Sequence, residues 1–431
     1  MRSTSEAPSA ERRAPSILRD RAFRRFWAGE TISVFGSTIS EFAISIVAVV
    51  TLQATPGQMG ILRSLGGAPS IVLGLIAGTW VDRVSRKRLL VALDLCAALL
   101  IVSVPVAYAL GVLSLGHLFA LALAFGVLDA FWSPAWNAFL PSVVRGDRLL
   151  DANSKLMLSW SASGMVGPGL AGALVEILSA PVTMIVDALS YLVSAVFVAG
   201  VPAAERTDAG AAQIEAGSTA RRISEGLRTA FLDPLQRSLT VPATILHLVD
   251  GMSMAVYVIY VLREVGLSPA ALGGVAATAA AGFLAGSTFA PRIGRRLGAG
   301  RATILGLALV GASPFSMILA GRQHSLVANL VFLSLPGLIG GFGGVIQCVT
   351  IASIRQAITP ERLIGRVSAS VGVVGAVATV VGALAGGALG EVIGLRPTIA
   401  TVACAYTIPA LLAPFTALRT AALPADGFEE R

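Results

Sequence analysis

The stretch Gly78-Thr-Trp-Val-Asp82-Arg83-Val-Ser-Arg86-Lys87-Arg88 lies between two long apolar runs and places four cations within six residues. Two apolar helices joined by so short a basic link form a hairpin whose turn stays on the cytoplasmic side of a membrane. The glycine lets two helix backbones approach closely, and Asp82 is able to cap the N-terminus of a following or facing helix. The stretch therefore predicts a membrane protein built from helical hairpins, and taken by itself the link is an ordinary positive-inside loop.

The composition indicates that most of the chain lies in lipid. Of its 431 residues, 55% are apolar and 13% are charged, whereas a soluble globular protein carries charge on roughly a quarter of its residues. So little polar surface excludes a water-soluble fold of this length. A helical span needs about 20 apolar residues, and the chain has room for twelve such spans beside its loops and tails.

The formal net charge of +8 is distributed in a way that predicts the membrane topology. Basic residues concentrate in links on one side of the alternating apolar runs, and this bias predicts cytoplasmic N- and C-termini. Arginine far outnumbers lysine, and alanine and glycine are abundant. This usage suggests a GC-rich bacterial source, hence a multi-pass protein of the bacterial inner membrane. No helix-turn-helix or aromatic-basic pattern accompanies the charge, so no nucleic-acid partner is expected.

The apolar runs divide the chain into two sets of six. We predict a disordered cytoplasmic tail over residues 1–21, an N-terminal six-helix bundle over 22–202, a cytoplasmic linker over 203–238, a C-terminal six-helix bundle over 239–419 and a cytoplasmic tail over 420–431. The linker ends in a predicted amphipathic surface helix. Its apolar residues on neighbouring turns are Ile223, Leu227, Phe231 and Leu235.

Short motifs of the first half return in the second half. Arg148-Leu-Leu-Asp-Ala-Asn-Ser154 matches Arg362-Leu-Ile-Gly-Arg-Val-Ser368, and Gly167–Gly172 is echoed at Gly382–Gly387. The offset is roughly 210 residues, which indicates a duplicated unit. The predicted fold is an all-α membrane protein with twelve transmembrane helices in two pseudo-symmetric six-helix bundles, an arrangement that suits alternating access.

Three acidic side chains fall midway along predicted spans: Glu41 in the first, Asp129 in the fourth and Asp250 in the seventh. An ionised carboxylate in hydrocarbon costs roughly 2.5 to 3.5 kcal/mol, so each needs a partner, a wet cavity or a proton. We expect the three to line a central cavity, where desolvation disfavours the charged form and allows proton binding and release. For Glu41, a structural hydrogen bond to a neighbouring helix is the alternative.

Other candidate binding residues lie close to these acids or in neighbouring spans. His247 precedes Asp250 by three residues and could simply satisfy it, and Tyr257 follows two turns later. Trp132 and Trp136 would give a substrate an apolar contact surface if they face the cavity, and would be lipid anchors otherwise. Arg63, in the second span, is expected to neutralise an acid, with an anionic substrate as the alternative.

Metal binding and catalysis are not predicted. Three cysteines and three histidines are dispersed without ligand spacing, and the sequence lacks a Walker loop and a nucleophile elbow. We therefore expect a protein that is not an enzyme and holds no cofactor, driven by the proton gradient. Its expected partners are a small-molecule substrate, protons and the lipid bilayer, and it is expected to be monomeric.

The order Gly78-x-x-x-Asp82-Arg83-x-x-Arg86-Lys87 resembles the loop between helices 2 and 3 of the major facilitator superfamily. Here Ser85 stands for the usual second glycine and Trp80 for a leucine. In that family the loop acts as a conformational latch, and a fourth-helix acid can pair with its arginine. The resemblance implies gating through Arg86 as a role for Asp129, while Asp94 is interpreted as structural or as part of the same charge cluster. The implied gating residues are Gly78, Asp82, Arg83, Arg86, Lys87 and Asp94.

The fifth span carries Gly164-x-x-Gly167-Pro168-Gly-Leu-Ala-Gly172. Small residues permit close helix crossing, and the proline removes one backbone hydrogen bond. The order resembles the Gly-Pro-x-x-Gly-Gly signature of the superfamily's antiporters, with Ala171 in place of one glycine. The resemblance implies a helix that seals a leak path in an outward transporter, and ordinary glycine packing is the alternative.

Three further motifs extend the resemblance along the chain. Phe23–Gly29, Phe131–Asn137 and Glu225–Arg228 occur in the order seen in the drug-exporter branch of the superfamily, which includes macrolide-efflux and enterobactin-exporter-like proteins. The fourth-helix arginine of other proton antiporters is missing beside Asp129. The resemblance implies efflux of a drug, antibiotic or siderophore-like metabolite by proton antiport. An importer or facilitator of the same fold and a non-transporting membrane sensor or scaffold are the alternatives.

Overall fold

The computed structural model describes residues 17–81, 83–144, 146–202, 216–321 and 324–420, and within these ranges the chain is helical without strands. The predicted tails lie largely outside these residues, as do Asp82 and residues 203–215 of the predicted linker. The first six long helices are α1 (Arg21–Ile46), α2 (Pro56–Val81), α3 (Arg86–Ala109), α4 (Leu115–Val143), α5 (Leu149–Leu178) and α6 (Ala180–Ala199).

The second half repeats this arrangement after a linker helix, α7 (Ala216–Leu232). Its helices are α8 (Pro234–Ile259), α9 (Pro269–Leu297), α10 (Ala299–Ala312) with α11 (Phe315–Leu319), α12 (Leu326–Leu335) with α13 (Gly341–Ile358), α14 (Glu361–Val392) and α15 (Leu395–Leu412). Eleven described segments are long and apolar enough to cross a membrane. The 26-residue α2, whose one cation is Arg63, is the twelfth. The predicted twelve-helix, all-α fold is confirmed.

Matching local features support the pseudo-symmetry of the two bundles. Asp20 caps the N-terminus of α1 and Asp233 caps that of α8. Both helices also end in a wider π-helical turn, Val47–Thr51 in the first bundle and Tyr260–Val265 in the second. These pairs are separated by the offset of roughly 210 residues that the sequence echoes predict.

The seventh span begins earlier than the predicted boundary at residue 239. The Asp233 carboxylate accepts a hydrogen bond from the Gln236 backbone N–H at 2.8 Å, and Pro234 occupies the first helical position, where a missing N–H costs nothing. Leu235 therefore belongs to α8, and the prediction that it lies on the surface helix is wrong. The linker helix packs on α14, where Glu225 forms an ion pair with Arg366.

The two bundles contact each other mainly near one side of the membrane. We call the side that carries residues 83–85 and the start of α1 the basic side, and the opposite side the far side. At the far side α2 crosses α14 closely. A Cβ at Gly60 would stand 2.5 Å from the Ala383 carbonyl oxygen, and Gly57 donates its backbone N–H to the Glu391 carboxylate at 3.0 Å.

A second far-side contact joins α5 to α9 and mirrors the first. A Cβ at Gly172 would stand 2.5 Å from the Pro269 carbonyl oxygen, and the Ala270 N–H donates to Glu176 at 3.1 Å. In each contact a carboxylate near the end of one helix accepts from the N-terminus of a helix in the other bundle, where the helix dipole favours negative charge. The far side is thus closed by two related contacts.

Towards the basic side the bundles separate. Six glycines of the four crossing helices lie towards this side and have no atom within 4 Å of where a Cβ would stand; they are Gly74, Gly78, Gly164, Gly294, Gly365 and Gly372. The hydrophobic cores show the same separation. The far-side cores of the two bundles share packing residues such as Phe42 and Leu262, whereas the basic-side cores share none of the described residues. The space between the bundles therefore opens towards the basic side.

Candidate functional site

The first bundle encloses two adjoining cavities of about 360 and 480 Å³. Helices α1, α3, α4 and α6 contribute to both, and five residues line both cavities. These are Ser37, Glu41, Phe125, Asp129 and Tyr191. The structure thus brings the predicted acids Glu41 and Asp129 together inside the first bundle, whereas Asp250 lines a separate cavity in the second bundle. The expectation that all three line one central cavity is wrong in this conformation.

Glu41 forms an ion pair with Arg63 of α2, with Oε1 and Nη1 3.1 Å apart. Arg63 also donates through Nη2 to the Ser45 hydroxyl at 2.9 Å, one turn further along α1. Side-chain exposure is 68% for Glu41 and 24% for Arg63, so the carboxylate reaches the open cavity while the guanidinium is held between helices. Arg63 thus supplies the counter-charge that a carboxylate at this depth requires.

We expect Arg63→Gln to reduce transport more than the double substitution Glu41→Gln with Arg63→Gln. Removing the cation alone leaves an uncompensated carboxylate within the membrane, whereas removing both charges leaves two neutral amides, so the double variant regains stability. Thermal unfolding in detergent and transport in vesicles measure the coupling between the two sites. Additive losses would show that the two side chains act independently.

Asp129 and Trp132 both line the cavity of the first bundle from α4. Asp129 makes no hydrogen bond or ion pair with another described residue. Arg86 instead donates to the Ala138 carbonyl at 3.4 Å, more than two helical turns from Asp129 along α4. The two side chains do not pair in this conformation, and gating by Asp129 through Arg86 stays a prediction.

Sequence reasoning missed Glu30, a buried carboxylate at the same cavity. Glu30 is 4% exposed, and its Oε1 has no hydrogen-bond partner. Asp94 of α3, which is 5% exposed, lies close enough to interact with it electrostatically. The sequence did carry a signal, because Glu30 shares the helical face of Ser37 and Glu41 at spacings of seven and eleven residues.

Three indole rings pack side by side at this end of the cavity. The Trp136 ring centroid lies 5.9 Å from that of Trp132 and 5.3 Å from that of Trp160. Trp132 and Trp160 line the cavity, whereas Trp136 is 6% exposed and lies behind them against Phe26. Of the two predicted tryptophans, Trp132 therefore faces the cavity directly and Trp136 supports it.

The second bundle holds a separate cavity of about 380 Å³, lined by Asp250, Ser253, Tyr257 and Tyr406 among others. The Asp250 carboxylate accepts a hydrogen bond from the Tyr406 hydroxyl on α15. His247 does not hydrogen-bond to Asp250; its Cδ2 lies 2.9 Å from where a Cβ of Gly375 would stand. His247 lies near enough to act on the Asp250 carboxylate electrostatically, while Tyr406, from the distant α15, supplies the hydrogen bond.

The hinge between α2 and α3 is held by contacts to carbonyl groups. Lys87 donates to the Val201 carbonyl at 2.8 Å, just past the end of α6. Ser85 caps α3 by accepting from the Arg88 backbone N–H. Arg83 is exposed, and Gly78 has open space where a side chain would project. With Asp82 outside the described residues, the latch role of this loop stays a prediction.

The glycine-proline motif of α5 lies between the two bundles. A Cβ at Gly167 would stand 2.6 Å from Thr38 of α1, within the same bundle. Pro168 faces the opposite way, with its carbonyl oxygen 2.4 Å from where a Cβ of Gly273 would stand on α9. Together with the contact of Gly172 to Pro269, this packs α5 closely against α1 on one side and α9 on the other.

The part of the chain that the structure describes contains no group of three or more His, Cys, Asp or Glu side chains arranged to hold a metal ion. The cavities are therefore lined by isolated or paired acids, hydroxyl groups and aromatic rings.

Twelve membrane-spanning helices in two pseudo-symmetric bundles, with carboxylate-lined cavities inside them, define a transporter of the major facilitator superfamily. Within it, the chain belongs to the transmembrane secretion effector family, whose model matches residues 13–426. The family and the fold are those of transporters and not of enzymes.

Two of the relatives match most of the chain and a third matches less than half of it, all at low identity. A transporter of this superfamily, YfiS from Bacillus subtilis, is 25% identical over 90% of this chain and 92% of its own length. The multidrug efflux pump Tap of Mycolicibacterium fortuitum is 28% identical over 82% of this chain and 84% of its own. Macrolide efflux protein A of Streptococcus pyogenes is 26% identical over 41% of this chain and 44% of its own.

Solved structures share the fold. A bacterial homologue of the iron transporter ferroportin in an inward-facing state superposes with a TM-score of 0.72 at 18% identity, covering 93% of this chain and 98% of the other. A bacterial homologue of the lysosomal transporter Spinster, also inward-facing, gives 0.69 at 16% identity over 94% of this chain and 98% of the other.

Proposed function

We propose that this protein exports small amphipathic or lipophilic compounds across the bacterial inner membrane in exchange for protons. The observation that carries the proposal is a cavity lined by carboxylates in a molecule closed at the far side and open towards the basic side. The positive-inside rule assigns the basic side to the cytoplasm. The conformation is then inward-facing, ready to take up a compound from the cytoplasm or the inner leaflet. The two relatives named as efflux proteins support the outward direction.

Proton exchange follows from the cost of charge in the membrane. Glu30, Asp94 and Asp129 lack a described ion-pair partner, and an unpaired carboxylate at this depth is unfavourable by roughly 2.5 to 3.5 kcal/mol. Protonation removes that cost, and a proton taken up on the far side would be released when the cavity opens to the cytoplasm. The proton gradient drives the cycle, and no ATP or bound cofactor is required.

Everted membrane vesicles test the direction and the coupling together. We expect uptake of an exported drug into vesicles with an acidic lumen, and loss of that uptake when nigericin collapses the pH gradient. The drug is chosen from a susceptibility panel that includes a macrolide and compares cells with and without the gene. Equilibration without a gradient would indicate a facilitator, and accumulation in right-side-out vesicles would indicate an importer. Equal drug susceptibility of cells with and without the gene, together with no flux in either vesicle type, would favour a sensor or scaffold.

A further inference from the structure

A polar cavity of about 370 Å³ lies at the far side of the second bundle and shares no lining residue with the cavities described above. The π-helical turn after α8, the link between α11 and α12, and the start of α15 enclose it. Its titratable lining includes two arginines, a glutamate and a histidine: Arg263, Arg396, Glu264 and His324. The cavity has the volume of about a dozen water molecules, which is room for a small polar group.

The fold does not require charge at this place. The matching π-helical turn of the first bundle, Val47–Thr51, carries no charged residue, and none follows before α2 begins at Pro56. Helix α6, the counterpart of α15, also has an uncharged first turn. Arginine is disfavoured at the far side of a membrane protein. Two arginines that converge on one cavity there therefore point to a ligand.

Both guanidinium groups are oriented by backbone carbonyls. Arg396 donates through Nη2 to the Ala320 carbonyl at 2.6 Å. Arg263 donates through Nη2 to the Val49 carbonyl, which belongs to the first bundle, also at 2.6 Å. A guanidinium carries more N–H donors than one such contact uses, and a neutral carbonyl does not cancel its charge. These contacts thus place two cations at the cavity without neutralising them.

The charge balance of the cavity is positive. Glu264 is the one carboxylate among its described lining residues, and it forms no ion pair with another described residue. It offsets one of the two arginine charges. The N-terminus of α15 adds a partial positive charge, because its N-cap is Gly394, which has no side chain to cap it. This balance suits one anionic group, and guanidinium forks match the oxygens of a phosphate.

We propose that this far-side cavity binds the phosphate group of a phosphoester, with Arg263 and Arg396 as its counter-charges. The ends of membrane-spanning helices lie at the level of the lipid headgroups. A phospholipid of the far leaflet and a free phosphoester in solution both offer the required group. The site goes beyond the proposed export function and depends neither on the direction of transport nor on protons.

Binding to the purified full-length protein in a non-ionic detergent tests the ligand class with lipids of equal chain length. The probes are dioctanoyl phosphatidylglycerol, dioctanoylglycerol without a phosphate, and the hemisuccinate of dioctanoylglycerol, which carries a carboxylate. The phosphate lipid should bind at least about tenfold more tightly than the neutral lipid, the ratio that one charge-assisted hydrogen bond produces. Equal binding of these two lipids, or a preference for the hemisuccinate, would overturn the assignment.

Substitutions locate the site. Arg263→Gln and, separately, Arg396→Gln should each weaken binding of phosphatidylglycerol by at least about tenfold, and cooperative thermal unfolding shows that each variant is folded. Glu264→Gln should tighten binding, because it removes a like charge from beside the ligand. Arg301→Gln, which removes an exposed arginine near the basic-side start of α10, is the matched control and should leave the affinity unchanged.

Two results would refute the site. One is an unchanged affinity for phosphatidylglycerol in both cavity variants. The other is an equal loss in Arg301→Gln, which would indicate a general attraction of the lipid to a positively charged protein.

Glycerol phosphate distinguishes the two sources of the phosphate. Binding of glycerol phosphate that Arg396→Gln weakens and Arg301→Gln preserves supports a site for free phosphoesters. The same dependence seen with the lipid alone supports a site for membrane phosphates. These measurements use no vesicle, pH gradient or drug. Their failure would therefore leave the export function standing, and failure of drug export would leave the phosphate site standing.

Discussion

Gly60→Leu should open the far side of the protein. A side chain at this position would place its Cβ 2.5 Å from the Ala383 carbonyl oxygen and 3.2 Å from the Gly387 Cα. Both are backbone atoms, so the clash is relieved only if α2 and α14 separate. Overpacking of this kind costs about 1 to 3 kcal/mol, which would shift the balance between conformers by about 5- to 150-fold.

Gly74→Leu is the matched control, because Gly74 lies on the same face of α2 and has open space around its position. Spin labels at Val112→Cys and Val327→Cys, exposed positions at the far-side ends of opposite bundles, report the far-side separation. The distance should lengthen in Gly60→Leu and stay unchanged in Gly74→Leu. The exposed native cysteines must first be replaced; they are Cys96, Cys348 and Cys404. Equal distances in the two variants would contradict the proposed closure.

Gly382→Ala should destabilise the second bundle itself. A Cβ here would stand 1.9 Å from the Leu248 carbonyl oxygen, and one at Gly251 would stand 2.1 Å from that of Thr379. Helices α8 and α14 are thus in backbone contact within one bundle, and even one methyl group must push them apart. We expect a loss of about 1 to 3 kcal/mol or more in stability, measured as a lower thermal unfolding midpoint in detergent.

Gly372→Ala, on the same helix, should instead raise the thermal unfolding midpoint. Nothing lies within 4 Å of a Cβ at Gly372, and alanine in a helix interior is favoured over glycine by about 0.5 to 1 kcal/mol. A lower unfolding midpoint for Gly372→Ala than for Gly382→Ala would be incompatible with the packing described above.

Most of the fold could be predicted because membrane insertion depends on local properties. Apolar length, basic links and glycine spacing are visible in a single sequence, and they gave the twelve spans and the pseudo-symmetry. The start of α8 was misplaced because Gln236 and Arg237 look like linker residues when judged by polarity. The Asp233-Pro234 pair, a capping residue followed by proline, was the better guide to the helix start.

The site was less predictable because its contacts join residues far apart in the chain. Arg63 and Glu41 belong to adjacent helices, and both were candidates on local grounds. The partner of Asp250 is Tyr406, 156 positions away, and local spacing pointed instead to His247. Glu30 was overlooked because it lies near the start of α1, where an acid in solvent would need no explanation; its burial depends on α3, α4 and α5.

The paired crossings of α2 with α14 and of α5 with α9 also limit how the molecule can move. Two bodies joined at a single point can swivel freely, but bodies joined at two separated points turn only about the line between them. Both crossings lie at the far side, one on either flank of the central space. The line that joins them is therefore parallel to the plane of the membrane. Each half is then restricted to a tilting motion, and twisting or sliding of one half past the other would have to break both crossings at once.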